Sequence, residues 1–169
     1  TLPAYADNSH ENYGGKMSGW ITPTETGDYN FFIRSDDASQ LFLSTDDKSA
    51  NLAMVAEETG CCGAFEEPGA PETTGAPIRL TAGRKYYVEA IWKEGGGGDF
   101  MQVAWRKTGD NTAASQLAPI PGQFLSTMYD TKLGPPVITN QPQGQEVAGG
   151  TATVKVEATI GEQPVSYQW

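Results

Sequence analysis

The feature that most constrains this chain is its punctuation. Clusters of Gly, Pro, Asp and Asn interrupt the apolar pattern so often that no window of helical length keeps an apolar residue at every third or fourth position. What survives between the clusters is short and rich in aromatic or β-branched residues, so residues 16–21, 27–34, 40–44, 85–92 and 100–106 read as strands. Asp28-Tyr29-Asn30-Phe31-Phe32-Ile33-Arg34 and Tyr86-Tyr87-Val88-Glu89-Ala90-Ile91-Trp92 alternate with period two, which predicts one buried face and one mixed face. Turns fall at 23–27, 46–51, 60–75, 82–84 and 94–99, and residues 51–58 read as a further strand in preference to a turn of helix. The expectation is an all-β fold.

Charge narrows the partners. Asp and Glu number 21 against 11 Lys and Arg, and a net charge of -10 repels phosphate backbones and anionic lipid. Nucleic acid and membrane insertion are therefore not expected, and no stretch approaches the apolar length of a membrane span. The same carboxylate excess suits hard cations, which take oxygen ligands. His10 is the single histidine, leaving little material for histidine triads or His-rich metal sites.

The two cysteines are neighbours, Cys61 and Cys62, flanked by Gly60 and Gly63. Adjacent Cα atoms lie nearer together than in most disulfides, and the glycines help the backbone accommodate a small ring. In an oxidising compartment a vicinal bridge is favoured; two free thiols and links to other chains are the alternatives. So small a ring closes little chain, and its role would be to stiffen a loop.

The length suffices for one sizeable domain and part of a second. Gly134-Pro135-Pro136 lacks two amide donors, so residues 131–136 read as a semi-rigid linker between a first domain at 1–130 and a piece at 137–169 too small for a core of its own.

Several stretches carry a family resemblance. They are Asn12-Tyr13-Gly14-Gly15-Lys16-Met17-Ser18-Gly19-Trp20-Ile21-Thr22-Pro23, Thr26-Gly27-Asp28-Tyr29-Asn30-Phe31, Ser35-Asp36-Asp37-Ala38-Ser39-Gln40-Leu41-Phe42-Leu43-Ser44, Ile78-Arg79-Leu80-Thr81-Ala82-Gly83-Arg84-Lys85-Tyr86-Tyr87 and Lys93-Glu94-Gly95-Gly96-Gly97-Gly98-Asp99. In this order they resemble the PA14 domain family, which implies an extracellular antiparallel β-sandwich or barrel over residues 1–129. Such domains carry further strand before the Asn-Tyr-Gly region, so the chain is expected to be an excerpt, or to receive a strand from a neighbouring copy or module by β-augmentation. Residues 137–169 are similar to the opening strands of a bacterial immunoglobulin-like domain, with Trp169 at the buried tryptophan position and Val156 where some members place a cysteine.

The resemblance also implies a site. In sugar-binding PA14 members, two adjacent aspartates joined by a cis peptide hold Ca²⁺, and the ion receives vicinal sugar hydroxyls; Asp36 and Asp37 match. Successive strand side chains point to opposite faces, so aiming both carboxylates at one ion needs an unusual backbone. Calcium wants six to eight oxygens. Asp99 and inward carbonyls of Gly95, Gly96, Gly97 and Gly98 are the expected additional ligands, with water or sugar completing the shell. Asp46-Asp47 reads as a turn beside Lys48. Trp20, Trp92 and Trp105 read as core, and Phe65, in the long 60–75 loop, as the best candidate for stacking on a sugar. Asp36 and Asp37 are too close to serve as the separated carboxyl pair of a glycosidase, so no enzyme is expected. The leading expectation is a calcium-dependent carbohydrate-binding or adhesion module of a larger extracellular protein, binding glycans. The alternatives are an assembly module of a filament or surface layer using strand sharing, and an accessory domain of a glycoside hydrolase.

Overall fold

The computed structural model describes residues 10–128, together with the backbone of two short strands at 137–140 and 157–159. Eight strands form the first unit, which extends to Thr127: β1 (Tyr13–Ile21), β2 (Gly27–Asp36), β3 (Ser39–Ser44), β4 (Leu52–Glu58), β5 (Ile78–Leu80), β6 (Tyr86–Glu94), β7 (Phe100–Lys107) and β8 (Leu125–Ser126). The large sheet runs β4-β3-β6-β1-β8 and the small sheet β5-β2-β7, all pairs antiparallel. The fold is all-β, as the punctuation predicts; the helical content of the described residues is single 3-10 turns at Ser49–Asn51, Ala114–Gln116 and Gly122–Phe124. No helix among them is long and apolar enough to cross a membrane.

Between the sheets, Ile21, Leu41, Leu43, Ala90 and Trp92 of the large sheet meet Phe31, Ile33 and Met101 of the small one. Each large apolar side chain buried there contributes about 1.5–3 kcal/mol. β6 keeps its expected alternation, with Ala90 and Trp92 inward and Ile91 and Lys93 outward. β2 does not. Phe32 points away from the main core and is also fully buried, in a second cluster with Phe65, Ala104 and Ala114. The cause is the long loop after β4. Its 72–74 segment bonds along the edge of β2, Ile33 N–H donating to Glu72 O and Thr74 N–H to Phe31 O, while Phe65 of the same loop packs on the outer face of the small sheet with Ala114 and Leu117.

Of the three tryptophans read as core, Trp92 is buried and Trp105 packs half-buried between Tyr29 and Phe124. Trp20 is half-buried outside the main core, its Nε1–H donating to Asp47 O at 2.9 Å and its ring beneath the Lys85 ammonium, because this end of β1 faces the 45–48 turn. An apolar cavity of about 390 Å³ sits between the sheets behind β1, lined by residues such as Ile21, Phe31, Leu41, Met101 and Leu125.

The second unit begins at Met128. Within it β9 (Val137–Asn140) and β10 (Glu157–Thr159) pair antiparallel. The linker at 131–136, Val156 and Trp169 lie outside the described residues.

Candidate metal centre

The chain changes sheets twice at one end of the sandwich. It crosses from the small sheet to the large one at Asp37 and Ala38, between β2 and β3, and returns through residues 95–99, between β6 and β7. Register places the crossings side by side: Asp36 pairs with Phe100 and Ser39 with Trp92, while Tyr13 at the start of β1 pairs with Glu94. Carboxylates remote in sequence therefore meet at one rim.

The Asp36–Asp37 peptide is cis. Asp37 is clamped by its N–H donating to Lys93 O at 3.1 Å, and Ser35 Oγ hydrogen-bonds both the Asp37 carbonyl and Ser39 Oγ. Its carboxylate accepts from the Gly95 N–H at 2.8 Å. The glycines are a cradle. A Cβ at Gly95 would lie 2.8 Å from Asp37 Oδ2 and one at Gly98 2.7 Å from Asp36 Oδ2, so any side chain there would press on the pair. Gly97, at φ +112°, turns its N–H toward the Glu11 carboxylate, 3.1 Å from Oε2.

Two members of the cluster are buried. Glu94 is 3% exposed and Asp99 8% exposed, yet both Glu94 oxygens and Asp99 Oδ1 accept no hydrogen bond from any described residue. The other Asp99 oxygen accepts from the Tyr13 hydroxyl at 3.3 Å. Burial, then the charges of Asp37, Asp99, Asp36 and Glu11, push the Glu94 carboxyl above the ordinary carboxylate range. Burial followed by Asp37 and Asp99 does the same to Asp36. The ion pairs seen among the described residues, Lys16–Glu89, Arg79–Asp28, Arg106–Glu67 and Lys107–Glu25, all lie elsewhere.

The geometry brings together Asp36, Asp37, Asp99 and the 95–98 loop, and adds Glu94 and Glu11, which the sequence reading passed over. It revises two expectations. Gly95 and Gly97 turn N–H groups toward carboxylates, and the Gly95 carbonyl accepts from Asn12 N–H, so an inward carbonyl is not the pattern at Gly95. Phe65 is 3% exposed beneath the Arg34 guanidinium, so its ring is not an open stacking surface; it anchors the long loop to the small sheet instead.

Cys61 and Cys62 are joined, and the Cys62 N–H donates to Ser35 O at 2.7 Å, docking the bridge beside Asp36. A carboxylate oxygen of Asp36 and both sulfurs lie within 4.8 Å of one another. Oxidised sulfur is not the thiolate that ligates metals, so this trio is not itself an ion site.

The profile of the PA14 domain matches residues 6–116. The chain belongs to the PA14 domain family. Over 101 residues this PA14 domain is 35% identical to N-acetyl-beta-glucosaminyl-glycoprotein 4-beta-N-acetylgalactosaminyltransferase 1 of Mus musculus, a match covering 57% of this chain and 10% of that protein. Among solved structures, the anti-sigma factor domain-containing protein from Clostridium clariflavum superposes with a TM-score of 0.51 at 20% identity, over 76% of this chain and 37% of that one, and shares the fold. A PA14 sugar-binding domain from an RTX adhesin gives 0.49 at 21% identity, over 70% and 56%. The chain thus spans a tenth of the curated relative and under two thirds of these structures.

Proposed function

We propose that this PA14 domain binds Ca²⁺ through Asp36, Asp37, Asp99 and Glu94, and presents the ion to the hydroxyls of a glycan. The observation that carries the ion is the pair of buried acids, Glu94 and Asp99, whose free oxygens are surrounded by further carboxylates. A buried carboxylate without a partner is costly, and a divalent cation is the partner that answers several at once. The donors are all oxygen, the set calcium takes and soft metals do not. Carbonyls of Gly96, Gly97 and Gly98, and water, would complete the shell.

The glycan rests on family membership and on the Asp36-Asp37 match to its sugar-binding members. In this reading the domain is a non-catalytic binding module of an extracellular protein, a setting in keeping with the bridge at Cys61 and Cys62. A glycan array run with calcium and again with excess chelator tests it: binding confined to the calcium arm is expected, and equal binding in both arms would refute the mechanism.

One observation favours assembly as a second reading. Among the described residues β8 pairs with β1 only at Trp20 and Ile21, so no described strand runs along the outer edge of β1 from Gly14 to Met17, where Met17 lines the apolar cavity. A strand from a neighbouring copy would fit there. Sedimentation that stays monomeric across concentration would remove this reading.

A further inference from the structure

Building on the calcium-glycan reading, we propose that the Cys61–Cys62 disulfide is the apolar platform of the sugar subsite. A saccharide that puts hydroxyls on an ion still has a C–H face, which needs apolar surface beside the ion. Among the described residues, the tyrosine and phenylalanine rings nearest this site do not offer one. Phe65 is buried, Arg34 lies over both Phe65 and Phe100, and Tyr13 is half-buried with its hydroxyl on Asp99. Both cysteines, in contrast, are exposed, and their sulfurs lie within 4.8 Å of an Asp36 carboxylate oxygen.

The platform is held at both ends. Cys62 N–H donates to Ser35 O at 2.7 Å, one residue before the aspartate pair, and Gly60 N–H donates to the Glu58 carboxylate at 2.7 Å. Three residues after the bridge, Phe65 is buried in the second apolar cluster and fixes the loop to the small sheet. The bridge therefore keeps a constant position relative to Asp36. Disulfide sulfur is polarizable and lacks N–H or O–H groups, so it meets a C–H face without losing strong hydrogen bonds to water. The ligand class is a saccharide with two adjacent hydroxyls for the ion and an apolar ring face turned toward residues 60–63.

The test uses the full chain and a panel of methyl glycosides of galactose, glucose, mannose, fucose and N-acetylglucosamine. Calcium binding is read by calorimetry before any sugar is added. In Cys61→Ser/Cys62→Ser, calcium affinity is expected to stay within about twofold of the wild type, while affinity for the best glycoside falls roughly fivefold to tenfold, the scale of a few tens of Å² of lost apolar contact. Equal glycoside affinity in the variant overturns the platform and leaves the ion site standing. Wild-type protein that takes no calcium, or binds none of the glycosides, overturns the platform together with the reading beneath it. If the double variant fails to fold, a crystal structure of the wild-type complex decides: ring carbons within about 4 Å of the sulfurs support the platform, and a sugar seated away from them refutes it.

Discussion

Two aspartate pairs lie ten residues apart in this chain and have opposite environments. Asp46 is answered by the protein itself: its carboxylate accepts from Lys48 N–H at 2.9 Å, Asn51 Nδ2 at 2.8 Å and Ser44 Oγ at 3.1 Å. These bonds, the Lys48 amide foremost, hold its carboxyl below the ordinary value. Asp36 and Asp37 sit instead among Glu94 and Asp99, and burial and neighbouring negative charge raise Asp36. The same dipeptide is a finished turn in one place and, in the proposed reading, half a coordination shell in the other. What differs is which strands meet there: the Asp46 turn closes locally, whereas the Asp36 rim gathers two sheet crossings and the start of β1.

The largest contrast is expected in calcium affinity. Asp36→Ala and Asp37→Ala each remove a carboxylate ligand, and titration calorimetry should show a loss of at least about 100-fold. Asp46→Ala should leave calcium affinity unchanged and lower the melting temperature slightly through loss of the turn bonds. Equal calcium affinity in all three variants would erase the distinction between the pairs.

Glu94→Gln should separate the two faces of the same charge. Without calcium it relieves repulsion and raises the melting temperature; with calcium the gain is lost, because a ligand is missing. In the wild type, free calcium at about 100 times its Kd should stabilise the fold by about 2.7 kcal/mol, on the order of 10 °C. A Glu94→Gln protein that keeps the full calcium-induced rise would remove Glu94 from the shell.

Acidity acts on the pairs with opposite sign. The raised carboxyls of Asp36 and Glu94 contribute to metal-free stability below the unfolded value, near about pH 4, and that contribution is lost as pH rises through their folded values. The lowered Asp46 contributes above the unfolded value and loses it as pH falls through its folded one. Calcium affinity should accordingly weaken on acidification across the window above about pH 4, since protons compete for Asp36 and Glu94. Calorimetry in buffers of different ionisation enthalpy should detect proton release on binding, and a pH-independent affinity would count against Glu94 as a ligand.

The smallest effect concerns the cradle. Gly98→Ala brings a methyl group against Asp36 Oδ2, and calcium affinity should fall by about tenfold; Gly63→Ala, with open space around it, should leave calcium affinity unchanged.

Much of this was legible in the chain. Strand positions followed from turn chemistry and alternation, and the PA14-like motifs drew attention to Asp36, Asp37 and the glycine loop. Glu94 follows Ala90 and Trp92 at spacings of two, so period-two alternation sets a carboxylate on the buried face; the turn residues from Gly95 onward mask it by making 94–99 read as loop, whereas β6 runs on to Glu94. Glu11 carried no such signal, because it arrives through the pairing of β1 with β6. Phe65 and the second face of β2 depart from the expectation for one reason: a long loop folds back onto the small sheet, and no local pattern announces a cover supplied from so far along the chain.

A crystal structure of the chain grown with calcium, using anomalous scattering to mark the ion, tests the central claim most directly. The account predicts one ion at the rim between the sheet crossings, with carboxylate oxygens of Asp36, Asp37, Asp99 and Glu94 at about 2.3–2.6 Å. Millimolar calcium with no anomalous peak there, and Glu94 and Asp99 bonded instead to protein or water, would contradict it.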